Sequence, residues 1–460
     1  MKMFLQYFLF IIFTVLVYSS ACLSTFQQDH QHSDYRGLVH AENETGLGHR
    51  HPPQSRQEIK RESGFLKFRR LLSANAGLSN SARSKRSRST GYLVNVDKFG
   101  ARADGTDDTK AFTQAWKKAC STPNSIFLVP ARKVYHLKPI TFEGPCQSGI
   151  TMRIGGTIRA STLMSDYEQD RRIWIKFEKL RDFSVEGGGV ISGNGQIWWP
   201  KSCKVDKKQP CLGAPTAMTF DKCTNVKVTN LRIKNAQQMH LTFRDCTNVE
   251  ASNLKVKSKG SSPNTDGIHV SGSRNVQILN SDIGTGDDCI SIVSGSNKVR
   301  AAGIKCGPGH GISIGSLGKN GDEDHVSDIL VNTATFTGTT NGVRIKSWQG
   351  GRGYAKNIVF ENIVMRNVTN PIIIDQFYCD KKEKDCKEQK NAVQVNSVSY
   401  RNIKGTSATE KGIIFECSAT FPCEGVRMEN VQLTHKGRSS LAACNNIHVQ
   451  QIGNNTPQCN

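Results

Sequence analysis

Along most of the chain, apolar residues fall on alternate positions in short runs, and the runs recur. Asn225-Val-Lys-Val-Thr-Asn-Leu231, Asn248-Val-Glu-Ala-Ser-Asn-Leu254 and Asn275-Val-Gln-Ile-Leu-Asn280 are versions of one unit, at steps of 23 and 27 residues. Related units occupy 326–331, 357–363, 398–403 and 426–431. Each reads as a short half-buried strand, with Asn or Gly where the chain must turn. A period in the twenties with several β segments per unit predicts a solenoid. One coil cannot bury its own inner face, and stacking does it. Leucine-rich repeats share the length but not the leucine spacing, so the pattern predicts an all-β parallel β-helix. Cys223 and Cys246 sit at equivalent repeat positions, as vertical neighbours that are either disulfide-bonded or stacked in the core.

The repeats have a different opening. Residues 92–99 read as a strand, and Asp104-Gly105 as a turn. Asp107 or Asp108 then caps a helix running through Ala119. Ala111, Phe112, Ala115, Trp116 and Ala119 share one face of it, so this helix has something to cover. The Asp-rich turn lacks the ligand spacing of a calcium loop.

Composition narrows the class. The chain has 460 residues, with 61 Lys and Arg against 39 Asp and Glu, a formal charge of +22. Such an excess favours a polyanionic partner: nucleic acid, membrane surface or acidic polysaccharide. One long apolar run exists, at the N-terminus, which excludes a multispan membrane protein. Lys2, the apolar stretch 4–17 and Ser19-Ser20-Ala21 have the form of a secretory signal peptide over 1–21. Residues 22–90 are polar, His-rich and basic, an expected disordered tail. In it, 59–72 carry the apolar spacing of one short helix, and Arg83, Lys85, Arg86 and Arg88 form a candidate processing site of a pro-segment. The catalytic β-helix is expected over 91–460. Secretion counts against nucleic acid and makes disulfides the natural reading of the cysteines. Removing Cys22 from the 15 leaves an even number. Cys120/Cys146, Cys203/Cys211, Cys289/Cys306, Cys379/Cys386, Cys417/Cys423 and Cys444/Cys459 are near neighbours in sequence. The absence of paired C-x-x-C weakens a zinc reading. Asn43, Asn367 and Asn454 open glycosylation sequons.

Chemistry enters with the polar residues that interrupt the repeat. Asn264-Thr265-Asp266-Gly267 is followed after 21 residues by Gly286-Asp287-Asp288-Cys289, and after 22 more by Gly309-His310-Gly311. Arg344-Ile345-Lys346 comes 34 beyond His310, and Tyr378 another 34 on. Each step is about one coil, and strands stack about 4.8 Å apart, so these residues form a column at the scale of one sugar unit per coil. Like charges on Asp266, Asp287 and Asp288 raise at least one pKa, so one carboxyl can serve as acid while another stays a base. Glycoside hydrolysis requires such a pair. Arg344 and Lys346 point outward while Val343 and Ile345 face the core, and two cations beside an acid pair hold a carboxylate-bearing substrate. His310 lies between acids and cations and can tune the acid. Asp287 and Asp288 are adjacent, so a regular strand would point them to opposite faces. The surrounding glycines predict a distorted strand there.

These motifs, in this order, resemble those of the polygalacturonases, family 28 glycoside hydrolases, above all the secreted plant enzymes. The likeness runs from about Tyr92 to Asn460. It implies a right-handed, pectin-lyase-like parallel β-helix that hydrolyses α-1,4 bonds of de-esterified homogalacturonan in the cell wall. It implies Asp287 as proton donor, Asp266 and Asp288 as water-activating carboxylates and His310 as assistant. Arg344 and Lys346 would hold substrate carboxylates, with Asn264 and Tyr378 lining the subsites. No metal and no cofactor are implied; polygalacturonase-inhibiting proteins are the implied protein partners, and a monomer the implied state. A spacing near 5 Å between carboxylates would favour retention of configuration, whereas the family implies inversion. Inversion is adopted, because two candidate bases flank the acid. Ser192 stands where relatives commonly carry Asp, and no helix pattern follows the Gly-rich stretch 187–199 to make it a dinucleotide site. The other expectations are an exo-acting enzyme, a rhamnogalacturonan hydrolase, or a non-catalytic pectate-binding wall protein. A pectate lyase would need calcium ligands that are not seen.

Overall fold

Hydrophobic alternation becomes three ladders of parallel strands in a computed structural model, which describes residues 91–147, 149–379 and 389–459. The expected signal peptide, the expected tail with its basic cluster and apolar stretch, Asn43 and Cys386 lie outside the described residues. In the first ladder Val226, Val249 and Val276 pair in register, as do Val228, Ala251 and Ile278, so the 23- and 27-residue steps are single coils. Both sets are buried. The second ladder carries Arg232–Lys234, Lys255–Lys257 and Asp282–Gly284. It fuses with the first at the strand Asn297–Cys306, which pairs with members of both. The third ladder holds 11 strands among the described residues, from Ile140–Glu143 to Leu441–Asn445. Every pairing in it is parallel, and the coils wind as a right-handed β-helix.

The repeated asparagines have a structural reason. Asn225, Asn248 and Asn275 adopt φ of 57°, 58° and 57°, in the left-handed region that Asn tolerates better than most residues. Asn248 Nδ2 donates to Asn225 Oδ1 at 2.9 Å, and Asn275 Nδ2 to Asn248 Oδ1 at 2.8 Å. Each turn is thereby tied to the turn above it. Inside the solenoid, Phe142, Phe177, Phe220 and Phe243 stack with ring centroids 5.2, 4.8 and 5.3 Å apart, a ladder of rings at coil spacing. Cys223 and Cys246 are buried, free thiols, so of the two expected arrangements stacking is the one adopted.

The helix Thr109–Cys120 closes the first coil. Its buried residues are the five expected. Phe112 and Trp116 pack on Phe127, and Trp116 also meets Phe142 and Phe183 edge-on. Asp107 Oδ1 accepts from the Thr109 amide, whereas Asp108 is spent on Arg102 and His136 amides, so Asp107 does the capping. The expected strand at 92–99 is only half a strand. Leu93–Asn95 is extended, then Asn95 caps a 3-10 turn at Val96–Phe99. Truncation of Trp116 to Ala is expected to destabilise the protein by about 3–5 kcal/mol, because a buried ring over an open solenoid end leaves a cavity that stiff strands cannot collapse. Denaturant unfolding measures it.

Disulfides close Cys120–Cys146, Cys203–Cys211, Cys289–Cys306, Cys417–Cys423 and Cys444–Cys459, all as the spacings suggested. Cys379 is disulfide-bonded too. Asn367 and Asn454 are exposed. Among the described residues no helix is long and apolar enough to cross a membrane.

Candidate active site

Strands of the third ladder set the register of the site. Ile268, Ile290 and Ile312 pair across three coils with their side chains buried. Two residues ahead of each stand Asp266, Asp288 and His310, which therefore share one column. Arg344 does not belong to it. It pairs with Ser313, three residues beyond His310, because the coil between them is 31 residues long and the 34-residue step overshoots it. Tyr378 likewise pairs with Trp348 rather than Arg344. The single column expected from spacing is thus a diagonal across neighbouring positions, which brings the cations over the carboxylates.

The distortion at Asp287-Asp288 is present: both lie in a bend between Asp282–Gly284 and Ile290–Ile292. A side chain at Gly286 would sit 1.9 Å from the Ser262 carbonyl, so only glycine lets the chain turn there. Buried Thr265 holds the bend, its Oγ1 accepting from the Gly286 amide at 3.0 Å.

The three carboxyls have different partners. Asp288 is 2% exposed; its Oδ1 accepts from Ser313 Oγ at 2.8 Å and Arg344 Nη2 at 3.1 Å, and its Oδ2 from Lys346 Nζ at 3.3 Å. Asp287 Oδ1 lies 3.0 Å from His310 Nδ1 and accepts from the Asp288 amide at 2.8 Å. Its Oδ2 has one hydrogen-bond partner among the described residues, Asn264 Nδ2 at 3.4 Å. Asp266 accepts at Oδ2 from Ser291 Oγ at 2.7 Å. Burial, with the charges of Asp287 and Asp288, pushes the Asp266 pKa well above its usual value. Burial also acts to raise Asp287, but hydrogen bonding and charge from His310, with Lys346, outweigh it and hold that carboxyl low. His310 is raised in turn by its hydrogen bond to Asp287.

Lys346 Nζ sits 5.2 Å over the Tyr378 ring, which stands edge-on to Trp348 at 5.1 Å. Ligand atoms of Asp287, Asp288 and His310 lie within 4.8 Å of one another, a spacing seen in metal sites. Arg344 and Lys346 already neutralise Asp288, and His310 occupies Asp287.

Four supporting residues escaped the sequence reading. Ser291 and Ser313 hold the carboxylates. His269 Nδ1 lies 2.8 Å from Ser291 Oγ. Buried His240 contacts the Asp266 carbonyl through Nδ1 at 3.0 Å and Ser258 Oγ through Nε2 at 2.8 Å. The signal was a polar residue between two apolar ones, as in Ile290-Ser291-Ile292 and Ile312-Ser313-Ile314, one coil apart. Beside Asn264 a cavity of about 570 Å³ is lined by Arg171, Arg172, Lys201, Trp198 and Gln238, among others.

Residues 120–454 match the model of glycosyl hydrolases family 28. The chain belongs to that family. It is 55% identical over 356 residues to a polygalacturonase of Persea americana, covering 77% of each chain. It is 54% identical over 370 residues to polygalacturonase-2 of Solanum lycopersicum, covering 80% of each. The fold matches a solved polygalacturonase of Erwinia carotovora with a TM-score of 0.65 at 24% identity, over 81% of this chain and 99% of that one.

Replacing Asp266 by Asn is expected to stabilise this family 28 hydrolase at neutral pH. The folded-state pKa of Asp266 exceeds the unfolded value of 3.8, so the native state binds its proton more tightly. The associated stability is present below that value and is lost as pH rises through the raised folded pKa. Asn cannot ionise. The variant should match the parent near pH 3.8 and exceed it at neutrality, the direction set by the raised pKa. Melting curves at both pH values decide it.

Proposed function

We propose that this chain is a secreted polygalacturonase that hydrolyses α-1,4-galacturonosyl linkages inside de-esterified homogalacturonan, with inversion, in the plant cell wall. One observation carries the reading: three crowded carboxyls face Arg344 and Lys346 on the same groove. Two cations beside the carboxyls suit a uronate substrate, whose own carboxylates they can meet. The basic cavity beside Asn264 extends the same preference, in keeping with a charge of +22. Asp287 protonates the departing glycosidic oxygen and leaves that step as a carboxylate, which the hydrogen bond to His310 at Oδ1 stabilises. A carboxylate across from it removes a proton from water as the new bond forms at the anomeric carbon. Arg344 and Lys346 bind uronate carboxylates, and Asn264 and Tyr378 flank the sugar. Residues 1–21 direct secretion, 22–90 form a removable tail, and 91–460 fold as the catalytic domain.

The test is to incubate the secreted protein with polygalacturonate without calcium and follow viscosity and reducing ends together. A fast viscosity drop with few new ends is expected. Ends rising at nearly constant viscosity would make the enzyme exo-acting. Pectate binding with neither signal would leave a wall-binding protein.

A further inference from the structure

In-register pairing sets His269, Ser291, Ser313 and Arg344 on one line across four coils. Asp266 and Asp288, also in register with each other, are each held by one of the two serines. Ser313 Oγ donates to Asp288 at 2.8 Å and accepts from Arg344 Nε at 3.1 Å. Ser291 Oγ contacts Asp266 at 2.7 Å and His269 Nδ1 at 2.8 Å. What stands behind the serine differs: a permanent cation for Asp288, an imidazole for Asp266. Asp288 has Lys346 as a further donor, whereas Ser291 is the one side-chain hydrogen-bond partner of Asp266 among the described residues.

We propose that His269, acting through Ser291, is a positioning residue that keeps Asp266 a neutral, proton-holding acid and so leaves Asp288 as the base that activates water. This rests on the hydrolase reading above and divides the roles of its two flanking carboxyls.

The serine has one proton to give. With Asp266 ionised, the Ser291 hydroxyl donates to Asp266 and His269 Nδ1–H donates to Ser291. With Asp266 protonated, the acid O–H donates to Ser291 Oγ and the serine hydroxyl donates to His269 Nδ1, whose proton is then on Nε2. Passing between the two along the chain moves one proton from Asp266 to the imidazole and leaves an imidazolium. Burial opposes that charge and holds the His269 pKa down to about 4. Arg172 and Lys346 oppose it too, and Asp288 alone favours it. On the other side, Asp287 and Asp288 favour the proton on Asp266, and Lys346 opposes it. The imidazole therefore stays neutral, and with its proton on Nε2 it accepts at Nδ1 and leaves the proton on the acid.

Opposite signs for two variants test this. In His269→Phe the freed Ser291 hydroxyl turns to Asp266 and favours its ionised form. In Ser291→Ala the donor itself is gone, and the neutral acid is favoured further. Difference infrared spectra against Asp266→Asn isolate the carbonyl stretch of the protonated carboxyl in the full chain. That band should titrate at lower pH than in the parent for His269→Phe and at higher pH for Ser291→Ala. The double variant should follow Ser291→Ala, and His269→Gln should restore part of the parent behaviour. In His269→Phe kcat on polygalacturonate should fall about tenfold or more while KM stays within about twofold, as for loss of an interaction made in the transition state. Absence of the band from the parent at mildly acidic pH would overturn the proposal, as would a shift of the same sign in both variants. The band reads protonation without turnover, so a failure of the hydrolase reading would not be mistaken for a failure of this one.

Discussion

Asp287→Asn should lower kcat on polygalacturonate by roughly 10²–10⁴-fold, the usual worth of a general acid, with binding of pectate nearly unchanged. The amide keeps the geometry. Its Oδ1 still accepts from the Asp288 amide and faces His310 Nδ1, so the bend at Gly286 has no reason to move. What disappears is the ability of the carboxyl to give a proton to the leaving oxygen. A second readout follows from the same pair. Asp287 raises the His310 pKa mainly through their hydrogen bond, so in the variant His310 should lose its proton at lower pH, as followed by ring-proton NMR. A variant that keeps more than about a tenth of the parent kcat would remove Asp287 from the acid role.

Arg344→Ala carries the other large effect, and it reaches beyond substrate binding. Spacing alone cast Arg344 as an outward hand for a substrate carboxylate. In the folded chain its Nη2 holds Asp288 Oδ1 and its Nε holds Ser313, with side-chain exposures of only 15% for Arg344 and 3% for Asp288. Breaking one arm of a buried ion pair typically costs about 3–5 kcal/mol, because the remaining charge is stranded. Lys346 still neutralises Asp288 in part, so a loss near the lower end, about 3 kcal/mol, is expected in denaturant unfolding. Both kinetic constants should suffer: KM because a bidentate anion site is gone, kcat because Ser313 no longer fixes Asp288. Arg344→Lys should recover stability before activity, since a point charge replaces the charge but not the fork. An unfolding midpoint and KM equal to those of the parent would refute this reading of the contact.

Much of this was legible in the chain itself. Alternation and a period in the twenties are local properties, and in a solenoid each coil meets only its neighbours, so the repeat in sequence is the repeat in space. For the same reason the buried face of the helix Thr109–Cys120 and five disulfides between near neighbours follow from spacing. The site motifs were visible because they interrupt that repeat.

What remained hidden depended on coil length. A step of 34 residues reads as one coil until the pairing shows a coil of 31 and an offset of three, which moves Arg344 from His310 onto Ser313 and Asp288. Ser291, Ser313 and His269 look like ordinary outward strand residues, and only stacking turns them into partners of Asp266 and Asp288. The sequence by itself determined the solenoid, the capping helix and the cast of charged groups, because those rest on period, pattern and residue type. The tertiary structure alone decided which carboxyl is matched by cations and which by neutral donors, because protonation depends on burial and on neighbours a few ångströms away, up to 58 positions distant in the chain.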